Sequence, residues 1–467
     1  FVRHQKWLVV APRPLLYITR VNMNDISAPT IRIEVACTRG FNKSQQSCEV
    51  YQHVHDIIEE RETIRMGTTF TIPVLSVLQV EVCTDVDQYT SRSALQFNFY
   101  VLQEQDGVTE TITHCAEEME ISHHMLLPAR ELHGLWESLI YEEGIKDSVL
   151  AFAETSMLFA RKGVDKNLIT CNRLALFHGP PGTGKTSLCK AIAQKLSIRL
   201  NEQYRHAHLV EINSHSLFSR WFSESGKLVQ KVFSEIVALL EDERSLVCVL
   251  VDEIESIAYA RDRISSNEPS DSIRVVNAVL TQLDRLRRFP NVFILATSNL
   301  TDSIDAAFLD RADFVQYIDH PTEPAIYDIY RSALYNLQTI GIVEKEANTS
   351  NRRLSQTAAN TTDGIPSYEQ AIDPAKPSST MLDILLQVVK LSAGLSGRTL
   401  RKIPFLAHAL YVKKETESVL NFLTAMRQAI RKVRNDKRLL LAKDRSVAEE
   451  ATDVSEKESN GSCMSKW

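Results

Sequence analysis

The sequence lacks the features that define several large classes of protein. Its eight cysteines include no C-x-x-C pair, unlike a zinc site of common spacing or a small disulfide framework. Pro12 and Pro14 interrupt the apolar stretch from Trp7 to Val10, so we expect neither a signal-peptide core nor a membrane span there. The formal net charge is only −6, which gives the whole chain no attraction to nucleic acid or anionic lipid. Because the cysteines form no such pattern, we expect the protein to work in a reducing compartment.

The length and the apolar content are those of a folded protein with several domains. The 467 residues suffice for two or three domains, and 44% of them are hydrophobic, enough to supply a core for each. Composition shifts along the chain give the expected boundaries. In chain order we predict an extension outside the native fold (1–24), a small α+β domain with βαββ-like order (25–110), a linker (111–131), a large α/β subdomain (132–322), a helical lid (323–441) and a disordered tail (442–467).

The central part of the chain alternates between apolar, strand-like runs and helical segments. Such alternation predicts a parallel sheet with helices on both faces, here with five strands. Within the lid, residues 344–380 are rich in Asn, Ser, Thr and Pro and have no apolar periodicity, so we predict a disordered surface insertion. The five predicted strands are 173–178, 209–213, 246–251, 291–296 and 314–318.

One complete nucleotide-binding motif follows the first of these strands. It has the form G-x-x-x-x-G-K-[ST] and precedes a predicted helix, which is the context that a P-loop requires. Its backbone N–H groups are expected to surround the phosphates of ATP, with Lys185 on the β and γ oxygens and Thr186 on Mg²⁺. The alternative is a glycine-rich turn with an incidental lysine. The predicted nucleotide-binding residues are Gly179, Pro180, Pro181, Gly182, Thr183, Gly184, Lys185, Thr186 and Ser187.

Polar residues at the ends of two further strands complete a hydrolytic site. Asp252 and Glu253 follow a continuous apolar strand; we expect Asp252 to hold Mg²⁺ and Glu253 to activate the attacking water. An acidic pair after a strand can instead favour the N-terminus of a helix. Asn299 follows the next strand and is expected to reach the water or the γ-phosphate, the alternative being an ordinary turn asparagine. Together these residues predict an ATPase.

Two neighbouring aromatic residues stand in a polar loop after the second strand of the core. Trp221 and Phe222 are flanked by Ser219, Arg220, Ser223 and Glu224, so a position in the core is not expected. Large aromatic side chains facing the axis of a ring can grip the side chains of a threaded polypeptide by apolar contact. The alternative is packing at a subunit interface.

Three longer runs carry a resemblance to a known family. Glu211 to Lys227, Pro269 to Gln282 and Gly394 to His408 closely resemble the pachytene checkpoint protein 2 family of AAA+ ATPases. The resemblance implies a ring hexamer that uses ATP and Mg²⁺, whose N-terminal domain recruits HORMA-domain proteins, sometimes through a HORMA adaptor. Threading through the pore would partly unfold them, in spindle-checkpoint disassembly and in the control of meiotic chromosome axes. Nuclear, chromosomal, kinetochore and cytoplasmic locations follow by the same analogy.

The resemblance also implies roles for two arginines. Arg311 occupies the region where AAA+ proteins carry an arginine that reaches the ATP of the neighbouring subunit; a local salt bridge to Asp310 or Asp313 is the alternative. The broader family usually has two arginines around a Pro-Gly pair, whereas this chain has one arginine and no such pair. Arg398 opens a predicted lid helix and is expected to touch the γ-phosphate of its own subunit, although Arg401 or Lys402 could do so instead.

A nucleic-acid ATPase, such as a clamp loader or a helicase, is the competing class. Its support is a basic run near the end of the lid, but interspersed apolar residues make a solvated helix face the simpler explanation. We therefore expect no direct contact with nucleic acid and none with a membrane. A scaffold without catalysis is disfavoured because the whole hydrolytic set is present. The basic run consists of Arg427, Arg431, Lys432, Arg434, Lys437 and Arg438.

Overall fold

A computed structural model describes most of the chain in three structural parts. These are a small N-terminal sheet, a large sheet flanked by helices, and a helical lid. Among the described residues, no helix is both long and apolar enough to cross a bilayer. The described residues are 30–61, 64, 67–83, 94–104, 107–114, 117–165, 167–214, 225–255, 270–300, 304, 306–344, 365–373 and 380–439. The predicted extension (1–24) and tail (442–467) lie outside them.

The N-terminal part is a four-stranded sheet with one helix packed on it. The strand order is β2-β3-β1-β4, with β1 antiparallel to β3 and parallel to β4. Ile33 and Val35 of β1 and Val54 of α1 share a core with no exposed surface, as the alternation in the sequence predicts. Strand structure is interrupted between Phe70 and Val77, because Pro73 lacks an N–H donor. The elements are β1 (Thr30–Cys37), α1 (Lys43–Glu59), β2 (Thr68–Phe70), β3 (Val77–Val82) and β4 (Ala94–Val101).

The large sheet contains the five predicted parallel strands and two more. Its order is β11-β7-β10-β9-β8-β6-β5, and the strands from β11 to β8 are parallel. Their apolar runs are continuous because helices cover both faces. The strands are β5 (Val108–His114), β6 (Glu117–Leu127), β7 (Leu174–His178), β8 (His206–Asn213), β9 (Ser245–Asp252), β10 (Val292–Ser298) and β11 (Phe314–Tyr317).

The two additional strands overturn the predicted linker over 111–131. β5 and β6 form an antiparallel hairpin, and β6 pairs antiparallel with β8 from Ser122 opposite Ile212 to Leu127 opposite Ala207. The local composition of β6 is polar at its start, so its strand conformation depends on pairing with β8, which is distant in sequence. The large sheet thus begins before residue 132.

Helices pack on both faces of this sheet. Phe177 of β7 points to the face covered by α3 and α4, whereas Leu176 points to the face covered by α5 and α6. This alternation along one strand divides the core into two layers. The helices are α2 (Leu135–Ser138), α3 (Ile145–Lys162), α4 (Lys185–Arg199), α5 (Ser225–Leu240), α6 (Ser270–Leu286) and α7 (Ala306–Leu309).

The lid is helical, as predicted. The Tyr330 hydroxyl lies 2.8 Å from that of Ser392, both buried within the lid core. A π-helix (His408–Val412) continues the fourth lid helix, and a last helix, α12, covers residues 419–439. The earlier lid helices are α8 (Glu323–Thr339), α9 (Tyr368–Ala371), α10 (Thr380–Ser392) and α11 (Gly397–Ala407).

Part of the predicted disordered insertion is packed against the lid. Ile365 is buried, Arg331 donates to its carbonyl at 3.0 Å, and the Tyr327 hydroxyl donates to Pro366 O at 2.9 Å. The prediction over 344–380 is therefore wrong for residues 365–373. This segment is held by one buried apolar residue and by two side chains of α8. Neither feature produces an apolar periodicity, so the packing could not be inferred from the sequence. Residues 345–364 and 374–379 lie outside the described part.

The N-terminal sheet docks on α4 through a buried network of charges. Lys195 lies 2.8 Å from Glu34 and 2.7 Å from Glu81, and both carboxylates are buried. Arg199, one turn further along α4, contacts Glu34 at 3.3 Å and Glu154 of α3 at 2.6 Å. Since buried ions are tolerated when they are paired and hydrogen-bonded, these contacts define a specific docked arrangement.

Candidate nucleotide site

The P-loop connects β7 to α4 in the predicted order. Gly179, Gly182 and Gly184 all have positive φ angles, of 139°, 78° and 96°. At Gly179 a Cβ atom would lie 2.2 Å from the carbonyl oxygen of Ile318, so only glycine fits there. Gly184 begins α4 with no side-chain cap among the described residues, which leaves the N–H groups of its first turn facing the loop. Such a helix start binds phosphate groups.

Lys185 lies folded against the P-loop backbone. Its Nζ donates to Gly179 O and to Pro180 O, each at 2.8 Å, and the residue is 4% exposed. Burial lowers the pKa of Lys185, while the negative charges of Glu255 and Asp252 oppose that change. A buried ammonium that bonds only neutral carbonyls is poorly compensated. A phosphate anion in the loop would supply the missing counter-charge.

The two residues predicted to hold Mg²⁺ lie together. The Thr186 hydroxyl, in the first turn of α4, donates to Asp252 Oδ1 at the end of β9 over 2.9 Å. Ser187 is next in that turn, as the motif predicts. Hydroxyl and carboxylate oxygens are the hard ligands that Mg²⁺ prefers, and the ion usually keeps several waters. The donor set therefore fits Mg²⁺ held between Thr186 and Asp252.

Glu253 and Asn299 come to the same edge of the sheet. β9 and β10 are parallel neighbours with Val251 opposite Ala296, so the residues that follow them project from adjacent strand ends. Glu253 is exposed and has a left-handed backbone, with φ of 57°. A non-glycine residue rarely adopts that conformation, and functional sites are where it concentrates.

The lid reaches the P-loop at the start of α11. The Arg398 N–H donates to Gly182 O at 3.0 Å, and Ser396 caps the helix by accepting from Thr399 N. This bond is made by the backbone N–H, so of the three basic candidates Arg398 is the one whose backbone lies at the loop. Arg401 donates instead to the carbonyl of Ser138.

Arg311 has a partner that the sequence analysis did not foresee. Its Nε and Nη2 bond the carboxylate of Asp284 in α6 at 3.0 and 2.9 Å, and its Nη1 donates to Ala307 O at 2.8 Å. Neither Asp310 nor Asp313 is the observed partner, because Asp313 accepts from the backbone N–H of Asn172 and Arg173. Hydrogen bonds from Arg311 and Arg287 lower the pKa of Asp284.

The two aromatic residues predicted to line a pore are not among the described residues. Trp221 and Phe222 lie outside the described residues, in the segment between the end of β8 at Asn213 and the start of α5 at Ser225.

Three further residues contact the site and were missed from the sequence. The Tyr141 hydroxyl donates to Gly184 O at 3.0 Å. Glu255 is 7% exposed, and its Oε2 has no hydrogen-bond partner in the described part of the chain. Thr297 bonds both Asp252 and Glu253. Its polar side chain at the end of an apolar strand, two residues before Asn299, was the one available signal.

Comparisons with known proteins match the whole region just described. Residues 175–320 match the family model "ATPase family associated with various cellular activities (AAA)", and residues 322–434 match "TRIP13-like, AAA+ ATPase lid C-terminal domain". The chain is similar to the pachytene checkpoint protein 2 homolog of Danio rerio, with 52% identity over 70% of this chain and 74% of the relative. With that of Rattus norvegicus the identity is 42%, over 89% and 96%.

A solved structure has the same architecture. The protein described as C. elegans PCH-2 aligns with a TM-score of 0.72 and 32% identity, and the alignment covers 87% of this chain and all of that one (100%). Sequence and fold therefore agree across the sheet, the P-loop and the lid.

Proposed function

The chain belongs to the pachytene checkpoint protein 2 family of AAA+ ATPases, and on that basis we propose that it hydrolyses ATP to remodel HORMA-domain proteins. The observation that carries the proposal is the bond from Arg398 N–H to Gly182 O. It joins the lid directly to the loop that holds the phosphates. A nucleotide bound against Gly182 would alter this contact, and the lid would then move relative to the large sheet during each cycle.

The active unit in this proposal is a homo-hexamer. Arg311 would leave Asp284 and contact the γ-phosphate bound by the next subunit, which makes hydrolysis dependent on assembly. An arginine in that role contributes roughly 10³- to 10⁵-fold in rate. The pairing with Asp284 holds the guanidinium on the α6–α7 side of the large sheet until a neighbour is present.

Within one subunit, each site residue has a distinct task. Lys185 exchanges its two backbone carbonyl partners for phosphate oxygens. Thr186 and Asp252 would hold Mg²⁺, and the ion would supply positive charge against the β- and γ-phosphates. Glu253 would accept a proton from the attacking water as the water oxygen bonds to the γ-phosphorus and the bond from that phosphorus to the bridging oxygen of ADP breaks. Asn299 orients that water from the neighbouring strand, and Arg398 brings a positive charge from the lid.

Work on the substrate is proposed to occur in the central pore. The N-terminal sheet recruits the HORMA-domain protein, directly or through a HORMA adaptor, and Trp221 with Phe222 grips a segment of it. ATP-driven movement of the gripping loops would then unfold part of that protein. The biological settings proposed are spindle-checkpoint disassembly and control of meiotic chromosome axes and recombination. The protein would accordingly act in the nucleus, at chromosomes and kinetochores, and in the cytoplasm.

The basic run in α12 supports the lid interpretation rather than a nucleic-acid surface. Arg434 donates to Ala393 O at 2.6 Å and Arg427 donates to Gln387 at 3.2 Å, which are contacts to the neighbouring lid helix α10 and the residue that follows it. Lys432 pairs with Asp436 at 3.3 Å on its own helix. Nucleic acid is therefore left out of the proposal.

A paired assay tests the proposal. ATP turnover and conversion of a HORMA-domain protein from its closed to its open state are measured in the same reaction, with Glu253→Gln as the control that binds ATP. We expect conversion only with the wild-type chain and ATP. Turnover that DNA stimulates, without any conversion of HORMA-domain protein, would contradict the proposal and favour the nucleic-acid class.

A further inference from the structure

Thr297 contacts three consecutive residues of the neighbouring strand end. It lies in β10 and is 2% exposed. Its hydroxyl donates to Asp252 Oδ1 and accepts from Glu253 N–H at 3.2 Å, while its carbonyl accepts from Ile254 N–H at 2.9 Å. A parallel pair of strands ordinarily shares backbone hydrogen bonds alone. Here a side chain adds two bonds at the point where the hydrolytic residues leave the sheet.

We propose that Thr297 is a positioning residue for ATP hydrolysis, which sets Asp252 and Glu253 in their working geometry through one hydroxyl group. The inference rests on the roles proposed above for those two acids. It goes beyond them because Thr297 is assigned no reacting group and acts through its bonds to Asp252 and Glu253. Asn299, two positions further along the chain, has a different task, which is to orient the attacking water.

The direction of each hydrogen bond follows from the groups involved. A backbone N–H can only donate, so the Thr297 oxygen must accept from Glu253. Its one hydrogen is therefore available for Asp252 Oδ1, which also receives the hydroxyl hydrogen of Thr186. With both hydrogens on Oδ1, the other carboxylate oxygen and the lone pairs of Thr186 are left for Mg²⁺ and its waters. The valine analogue cannot make either bond.

The backbone at Glu253 explains why such support is needed. A left-handed conformation is unfavourable for a non-glycine residue and persists only where its surroundings hold it. The backbone N–H groups of Glu253 and Ile254 both donate to Thr297. Thr297 alone therefore supplies these two hydrogen bonds to the turn. Without the hydroxyl, Glu253 is released to a more common conformation, and its carboxylate would no longer face the γ-phosphate.

The effect should fall on catalysis rather than on nucleotide affinity. Lys185 bonds Gly179 and Pro180 rather than Thr297, so binding of ATP should be preserved. Without the Thr297 hydroxyl, the Asp252 carboxylate loses one hydrogen bond and the Glu253 N–H loses its acceptor. We expect this to lower kcat roughly ten- to a hundredfold. Because Asp252 loses a donor that orients it, half-maximal activity should also require more Mg²⁺.

The test compares Thr297→Val with Thr297→Ser in the full chain. Valine keeps the branched shape that suits a buried strand, whereas serine keeps the hydroxyl. For each variant we would measure the Kd of a fluorescent ATP analogue, kcat at saturating ATP, the Mg²⁺ concentration for half-maximal turnover, and Tm. Ser245→Ala is the matched control, since it removes a buried hydroxyl at the opposite end of the adjacent strand, where it bonds Asp242 at 2.9 Å.

We expect Thr297→Val to lose kcat and require more Mg²⁺, with Kd within about threefold of wild type, and Thr297→Ser to remain near wild type. If Thr297→Val does not fold, Thr297→Ala replaces it in the same comparison. The inference is overturned if Thr297→Val, or Thr297→Ala in its place, has the kcat of the wild type. It is also overturned if Thr297→Ser loses as much kcat as the variant without a hydroxyl. Turnover without HORMA conversion would refute only the proposed substrate, whereas full turnover in Glu253→Gln would remove the premise of the inference.

Discussion

Lys195 Nζ lies 2.7 Å from Glu81 Oε2, and this contact joins the helix that follows the P-loop to β3 of the N-terminal sheet. The same ammonium lies 3.0 Å from Glu137 of α2. With Glu34 of β1, three elements (β1, β3 and α2) thus contact the Lys195 side chain, and Lys195 is 3% exposed. Since a buried charge without its partner is strongly unfavourable, Lys195 is expected to be a determinant of stability.

The first prediction concerns the stability of this network. Lys195→Met should lower the free energy of unfolding by about 3 to 5 kcal/mol, because the carboxylates of Glu34 and Glu137 lose the cation that they share. Lys190→Met is the matched control on the same helix, where Lys190 is more exposed and pairs with Glu211 at 2.8 Å. That change should cost less than about 1 kcal/mol. Urea unfolding followed by circular dichroism measures both, and equal losses would contradict the prediction.

The second prediction is a pH dependence that originates at Glu81. Burial raises the pKa of Glu81 to about 8; the Lys195 ammonium opposes this rise, and the nearby charges of Glu34 and Glu137 add to it. The ordinary pKa of a glutamate is 4.5, so between pH 4.5 and about pH 8 the folded state holds a proton that the unfolded state has lost. Stability should therefore fall as the pH rises through that window.

Glu81→Gln tests this dependence, because glutamine stays neutral at every pH. Its free energy of unfolding should vary less than that of the wild type between about pH 5 and pH 8. Thermal unfolding at several pH values in this range would provide the comparison. An unchanged slope would show that Glu81 is not the group that takes up the proton.

The third prediction separates nucleotide binding from hydrolysis. Glu253→Gln should still bind ATP but lose at least about a hundredfold in turnover, because the amide cannot accept the proton of water. Lys185→Ala should lose binding itself, because the phosphates lose their main point charge. Fluorescent nucleotide titration and phosphate release measure the two effects. Weak binding by Glu253→Gln, with near-normal turnover at saturation, would refute its assigned role.

The fourth prediction places Arg311 across a subunit boundary. Mixing Arg311→Ala subunits with Glu253→Gln subunits should restore part of the hydrolysis, since some interfaces would pair an intact arginine with an intact water activator. Asp284→Asn is the control: it removes the partner of Arg311 within the chain and should retain turnover. Equal inactivity of Arg311→Ala and Asp284→Asn, with no recovery in mixed rings whose subunits have exchanged, would identify the salt bridge as the function of Arg311.

The fifth prediction separates grip from chemistry. Trp221→Ala should assemble, hydrolyse ATP near the wild-type rate and bind a HORMA-domain partner, yet leave that partner unconverted. Force reaches the partner only through side chains that hold it. Phe222→Ala should show the same defect in milder form, because its ring offers less contact area. Conversion at the wild-type rate by Trp221→Ala would exclude threading, and failure to assemble would make Trp221 an interface residue.

The predictable part of the site is the part encoded by residues close together in the sequence. The P-loop motif and the acidic pair after an apolar strand predicted that Thr186 and Asp252 would meet, and they do. The parallel sheet followed from its apolar runs. These features depend on short-range patterns, which a single sequence carries.

The features that the sequence did not reveal depend on partners far along the chain. Nothing in the sequence around Lys195 distinguishes it from a solvent-exposed helical lysine. Its partners Glu34 and Glu81 are 161 and 114 residues away. The alternative to a role of Arg311 in the neighbouring subunit was a salt bridge to an adjacent aspartate, but the observed partner is Asp284, in the last turn of α6. Hydrogen-bond direction and burial decide such pairings, and neither can be read from residue spacing.

The pairing of β6 with β8 also determines where the chain can be divided. A fragment that starts at residue 132, the boundary that composition suggests, would lose Met125 and Leu127 from the core of the large sheet. It would also leave the outer side of β8 with unpaired N–H and C=O groups, which invite association with other chains. A soluble ATPase fragment should therefore begin before Val108, and a shorter one is expected to precipitate for reasons unrelated to nucleotide.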